Sequence, residues 1–202
     1  MSTINVNGVD LKAFETGKGK PILLVHGFPL DHTTWQAQID ALSKTHRVIA
    51  PDLRGFGRSE GTPGTVEMQD FADDLAALLD ALGVDEPICY CGLLMGGYIG
   101  WQFLRRHGQR VESLILCDTK ATADTHEGIE ARMKLANLVM EKGSEAAFDA
   151  MIFKLIADGS RHTRPEVVAA LRRVIVGTDP ESIGAALRGM AARPDMTGLL
   201  KE

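Results

Sequence analysis

Ile22-Leu23-Leu24-Val25 is apolar at every position, Ile88–Cys91 is a second such run, and Val111–Cys117 ends in Leu114-Ile115-Leu116-Cys117. Runs this short, without the alternation of a half-exposed strand, read as parallel strands covered on both faces. The stretches between them carry helical periodicity. Met68, Phe71, Ala72, Leu75, Leu78, Leu79 and Leu82 recur at three- and four-residue steps, the buried stripe of one helix, with Thr65 as its expected cap and Gly83 as its stop. Thr34–Ser43 and Tyr98–Arg106 read as further helices, Arg47–Ala50 as a strand, and Pro51–Pro63 as a loop. Strands alternating with helices over Ile22–Cys117 predict a mostly parallel, doubly wound α/β sheet. Ahead of it, Ile4–Val6 and Val9–Glu15 flank Asn7-Gly8, a hairpin signal.

After Asp118 the character changes. Four helical segments are expected, at 127–141, 144–158, 165–176 and 180–191, separated by Gly143, Gly159, Pro165 and Pro180. The chain therefore divides into a core over 1–120, a helical cap over 121–195, and a short piece, 196–202, expected to lead into a further core strand. A length of 202 residues suffices for a sizeable core. The net charge of −5 and a pI near 5.7 argue against a nucleic-acid partner, which would need a basic face. No apolar run approaches the roughly 20 residues that span a bilayer, and the N-terminus lacks a secretory pattern. The three cysteines, Cys89, Cys91 and Cys117, all fall in strand-like apolar runs, as reduced core thiols of a cytoplasmic protein would.

Three motifs stand at the carboxyl ends of expected strands, where open α/β sheets bind ligands. They are Val25-His26-Gly27-Phe28-Pro29-Leu30-Asp31, Pro51-Asp52-Leu53-Arg54-Gly55-Phe56-Gly57-Arg58-Ser59, and Gly92-Leu93-Leu94-Met95-Gly96-Gly97. In this order the chain resembles the α/β-hydrolase superfamily, nearest to 3-oxoadipate enol-lactonase-like proteins and small carboxylesterases. The resemblance implies an α/β-hydrolase fold with a helical cap and an ancestry in hydrolysis of small esters or lactones. Residues 92–97 match the nucleophile elbow, Gly-x-Ser-x-Gly, with Leu94 in the nucleophile position. The backbone N–H groups of Met95 and Phe28 match the oxyanion-hole donors, His26, Gly27 and Leu93 the pocket around them, and Asp52, Arg54 and Arg58 a bracing loop.

Leucine offers neither lone pair nor acidic proton, so it cannot attack a carbonyl. In this family the triad runs nucleophile, acid, histidine. No histidine follows His162, and the sequence is expected to stop before the strands that carry acid and base. Asp118, after the Val111–Cys117 run, is a weak candidate acid. His32, His46, His107, His126 and His162, Glu60-Gly61-Thr62 and the pair Asp73-Asp74 read as solvated positions. Cys89 and Cys91 lack the further ligands of a metal site, and no sequence feature calls for a metal, nucleotide or flavin cofactor. Three readings follow: an inactive relative of an ester or lactone hydrolase, a pseudoenzyme that still binds a small ester or lactone, or a folding fragment. With no strand following it, Val111–Cys117 would form an open sheet edge through which copies self-associate.

Overall fold

The structure, a computed structural model, describes residues 1–201. Its strands are β1 (Ser2–Val6), β2 (Val9–Thr16), β3 (Pro21–Val25), β4 (Arg47–Asp52), β5 (Ile88–Leu93) and β6 (Val111–Cys117). They form one six-stranded sheet in the order β1-β2-β4-β3-β5-β6. β4, β3, β5 and β6 run parallel, and the β1–β2 hairpin is added antiparallel at one edge. Its turn uses Asn7 and Gly8 at φ 48° and 80°, the left-handed pair that a tight hairpin requires. The expected doubly wound α/β sheet is present.

All five residues of β3 are buried, the mark of a strand sandwiched between layers. On one face Ile22, Leu24, Val48 and Ala50 pack under Trp35 and under Ile39 of α1 (Gln36–Leu42). On the other, Leu23, Val25, Ile49 and Tyr90 meet Phe71, Leu75 and Leu78 of α2 (Met68–Ala81) and Phe103 of α3 (Met95–His107).

Two helix starts differ from the sequence reading. α2 begins after Glu67, not Thr65: the Glu67 side chain accepts from the N–H of Asp70, and the Glu67 N–H donates to Asp70 Oδ2 at 2.8 Å. Thr65 has Met68 three residues on and cannot form such a reciprocal box. α3 begins at Met95, so the expected six-residue turn shrinks to a corner at Leu94.

The helices after β6 are α4 (His126–Lys142), α5 (Glu145–Leu155), α6 (Asp158–Thr163), α7 (Pro165–Val176) and α8 (Pro180–Ala191). The expected 144–158 helix breaks early because Ile156 is extended, at φ −134° and ψ 136°, which leaves α6 as a separate short helix. α8 lies against the core, where a Cβ on Gly189 would sit 1.8 Å from the Val66 carbonyl oxygen. Both stems of this helical segment meet at Asp124, which accepts from Arg193 at 2.6 and 2.8 Å, Arg132 at 2.6 Å and Lys120 at 3.1 Å. Its hydrogen bonds to these cations outweigh its partial burial and hold the carboxyl well below the usual range. Residues expected to lead into another strand form a 3-10 turn, Thr197–Lys201, fixed by Asp195 accepting from the Thr197 N–H at 2.9 Å.

Asp74 is not a solvated position, and Asp73, its side chain 34% exposed, is paired at the surface. Asp73 binds Arg106 and His107. Asp74, 1% exposed, takes a bidentate Arg54 at 2.6 and 2.7 Å and the Asn7 amide at 3.0 Å. One carboxylate thus ties α2 to the hairpin turn and to the loop after β4. Asp74→Ala would leave the Arg54 guanidinium without its partner in a largely buried site, and is expected to cost about 3–5 kcal/mol. Replacing both, Arg54→Met with Asp74→Leu, is expected to cost far less; urea melts of the two variants check the difference.

Candidate active site

The corner between β5 and α3 is built around Leu94, which holds φ 50° and ψ −112°. No L-residue with a Cβ adopts these angles without strain, on the order of 1–3 kcal/mol. Three straps fix it. The Leu94 N–H donates to the Cys117 carbonyl at 3.0 Å, and the Leu94 carbonyl accepts from Gly97 N–H at 3.0 Å and from Thr119 Oγ1 at 2.9 Å. Beneath it the Tyr90 hydroxyl, wholly buried, donates to the Gly96 carbonyl at 2.8 Å.

Close approach explains the glycines. A Cβ on Gly92 would lie 2.3 Å from Gly96 O, one on Gly96 2.4 Å from Val25 O, and one on Gly97 2.4 Å from Thr119 Cγ2. A Cβ on Gly27 would meet Leu94 Cβ and Cδ1 at 3.0 Å each, so the Leu94 side chain lies directly against that glycine. Leu94 is half-buried and partly fills the space over the corner.

The loops facing the corner are set by two buried side chains. His26, 0% exposed, shares Nδ1 with the Gly27 carbonyl at 2.9 Å, and its Nε2 accepts from the Leu53 N–H at 3.0 Å. Burial holds its pKa below the ordinary value, which suits a neutral ring with an acceptor nitrogen. Asp52, also 0% exposed, accepts from His32 N–H at 3.0 Å, His32 Nδ1 at 2.6 Å and Arg58 N–H at 3.0 Å. Asp31, His32 and Asp52 bring one ligand atom each within 4.8 Å of one another. Asp31 caps the turn at His32–Trp35 and accepts from Thr33, while His32 and Asp52 are spent on each other, so these donors form a brace.

A cavity of about 570 Å³ opens over the corner. Leu93, Leu94 and Asp118 form its floor, Leu30, Thr33 and Thr34 one wall, and Leu155, Ile156 and the Val167, Ala170, Leu171 and Val174 stripe of α7 the other. Lys154 and Glu166 add charge to the lining. Asp118 stands at positive φ, 45°, directly after β6. Of the residues expected around the pocket, Leu93, Leu94 and Asp118 line it. His26 and Gly27 do not: the ring is turned into the core and the glycine lies beneath Leu94. Phe28 and Met95 are buried, at 3% and 1% exposure, and among the described residues neither backbone N–H meets an acceptor. No histidine lines the cavity among the described residues; His126 pairs with Glu130 on α4. Cys91 is an inert core thiol whose pKa burial pushes up to about 12. Thr119, Tyr90 and the His32–Asp52 pair carry no motif signal and were legible only once the chain was folded.

These features coincide with a family. Residues 20–155 match the model of the alpha/beta hydrolase fold, and the chain belongs to that family. A thermophilic esterase from Thermogutta terrifontis superposes with a TM-score of 0.92 at 44% identity, over 98% of this chain and 73% of the esterase. The enol-lactonase from Burkholderia xenovorans LB400 gives 0.89 at 30% identity, over 98% and 75%. Epoxide hydrolase 2 of Siraitia grosvenorii is 35% identical over 117 residues, 56% of this chain. That match spans only 37% of the relative's own length. No helix of the described residues is long and apolar enough to cross a membrane.

The His32–Asp52 pair gives the site a pH signature. The His32 pKa is raised above its ordinary 6.5, chiefly by its hydrogen bond to Asp52. That of Asp52 is lowered below 3.8: burial acts to raise it, but the hydrogen bonds from His32 and Arg58 prevail. The His32 contribution to stability is fully present below pH 6.5 and is lost as pH rises through its elevated folded value. The Asp52 contribution is present above pH 3.8 and is lost as pH falls through its depressed folded value. The stability difference between the native chain and His32→Asn is therefore expected to be greatest between pH 3.8 and 6.5 and to shrink on the alkaline side. Thermal melts across pH check it; a difference that grows with pH would contradict the assignment.

Proposed function

We propose that this chain derives from a hydrolase of small carboxylic esters or lactones, and that it binds such carbonyl compounds without turning them over. The observation that carries the reading is Leu94 itself. It occupies a strained, glycine-packed corner at the carboxyl end of a parallel strand, with the N–H groups of Met95 and Phe28 unpaired nearby. In hydrolases of this family that corner presents a nucleophile and those amides face the oxyanion. Here the side chain at that corner is leucine, whose Cγ, a carbon without a lone pair, stands where a nucleophilic oxygen would be.

Loss of the nucleophile from such a site lowers turnover by roughly a millionfold, with a residual effect over water of about a thousandfold from oxyanion donors and binding. The esterase and enol-lactonase likenesses support an ester or lactone as ligand. The apolar cavity walls suit its hydrocarbon part, and Asp118 on the floor disfavours a free carboxylate there. A formed cavity of this size supports a binding role over that of a scaffold with no site. Three free thiols in or beside the core fit a reducing, cytoplasmic setting.

Turnover of short-chain p-nitrophenyl esters by the native chain and by Leu94→Ser tests the reading. Neither is expected to exceed the residual level in this 202-residue chain, because no histidine among the described residues lines the cavity to take a serine's proton. A burst of acyl-enzyme from Leu94→Ser would contradict this and assign the acid–base role to Asp118 with a histidine brought in from the cap.

A further inference from the structure

The peptide between Leu94 and Met95 carries two polar groups that look in opposite directions. It is planar and trans, so the Met95 N–H points away from the partners of the Leu94 carbonyl. A group that grips that carbonyl therefore aims the Met95 amide. Three donors reach it: the Gly97 N–H at 3.0 Å, the Tyr98 N–H at 3.4 Å and Thr119 Oγ1 at 2.9 Å. The first two belong to the opening turn of α3 and move with the peptide they bond. Thr119 comes from outside the corner. It lies two residues beyond Cys117, whose carbonyl takes the Leu94 N–H at 3.0 Å. The end of β6 and the residues just after it thus hold both backbone polar groups of Leu94.

The Thr119 side chain has little freedom to leave. A Cβ on Gly97 would fall within 2.6 Å of its Cβ, Oγ1 and Cγ2, so the threonine occupies the space that a side chain at 97 would need. Branching at Cβ restricts its χ1 further. A hydrogen bond into a carbonyl also polarises the peptide, which makes the N–H of the same unit a stronger donor. We propose that Thr119 is a positioning residue for the ligand carbonyl: its hydroxyl, held on the Leu94 carbonyl, sets the direction and the donor strength of the Met95 N–H. The inference rests on the reading that Met95 and Phe28 receive that carbonyl, and it adds a residue that acts from behind the corner. Asp118 lines the cavity, whereas Thr119 does not. The Thr119 hydroxyl bonds to Leu94 and to nothing on the loop that carries Phe28, so the Phe28 amide serves as an internal control.

Nuclear magnetic resonance of the native chain beside Thr119→Val and Thr119→Ser tests the proposal. Valine keeps the shape and removes the hydroxyl; serine keeps the hydroxyl. Without ligand, Thr119→Val is expected to move the Met95 amide resonance upfield and to leave that of Phe28 in place, and Thr119→Ser to hold Met95 at its native position. Gly97→Ala, which crowds the Thr119 hydroxyl off the carbonyl, is expected to shift Met95 in the same sense as Thr119→Val. On titration with a neutral short-chain ester, Thr119→Val is expected to bind roughly three- to tenfold more weakly, the effect of one misdirected neutral hydrogen bond, with Thr119→Ser close to native. Circular dichroism melts verify that the variants fold. A Met95 resonance unmoved by Thr119→Val overturns the proposal. So does a shift that Thr119→Ser repeats, or one that Phe28 shares equally, since the change would then be a general loss of packing. The comparison without ligand decides the role of Thr119 by itself, whereas a native chain that binds no ester contradicts the carbonyl-binding reading.

Discussion

Leu94 keeps a left-handed backbone because everything around it is arranged to hold it there. The strain of on the order of 1–3 kcal/mol is met by three hydrogen bonds to its own N–H and C=O, each worth about 1 kcal/mol net. Those bonds come from separate segments: the end of β6, the loop after it, and the first turn of α3. Four glycines make the approach possible, because a side chain on Gly27, Gly92, Gly96 or Gly97 would lie within 3.0 Å of a neighbouring atom. The corner is thus a junction of β5, β6, α3 and the loop after β3, and the cavity exists because those four are held at one point.

Around that junction the charges act as ties. Asp52 and His26 sit fully buried and fasten the loops after β3 and β4 to each other. Asp74 and Asp124 do the same for the hairpin edge and for the two stems of the helical cap. Buried carboxylates of this kind are costly when solitary and favourable only when every oxygen finds a donor. Asp52, Asp74 and Asp124 each gather two or more.

The α/β framework was legible in the sequence because apolar runs and helical periodicity are one-dimensional signals of burial. Asn7-Gly8, the stripe from Met68 to Leu79, and the glycines at 92, 96 and 97 each encode a local geometry, and each is realised. The boundaries that shifted did so for reasons that periodicity does not carry. Glu67 won the start of α2 through a reciprocal bond with Asp70, and Ile156 broke the second cap helix without a glycine or proline to announce it. The candidate site was legible where a motif names a backbone corner, as at Leu94 between β5 and α3. It was not legible where long-range pairing decides a side chain's role. Asp74 reads as a surface acid until Arg54, 20 residues away in sequence, folds onto it. His26 sits in a motif beside the pocket, yet its ring faces the core because the Leu53 N–H needs an acceptor there.

On the reading proposed above, the Phe28 and Met95 amides are the carbonyl-binding half of a hydrolase site, and Leu94 stands in the other half. Nuclear magnetic resonance titration of the native chain with a neutral short-chain ester or lactone tests that account most directly. Saturable downfield shifts of the Phe28 and Met95 amide protons, with the ligand recovered intact, are the predicted result. Shifts confined to other surfaces, or release of the acid and alcohol during the titration, would contradict it.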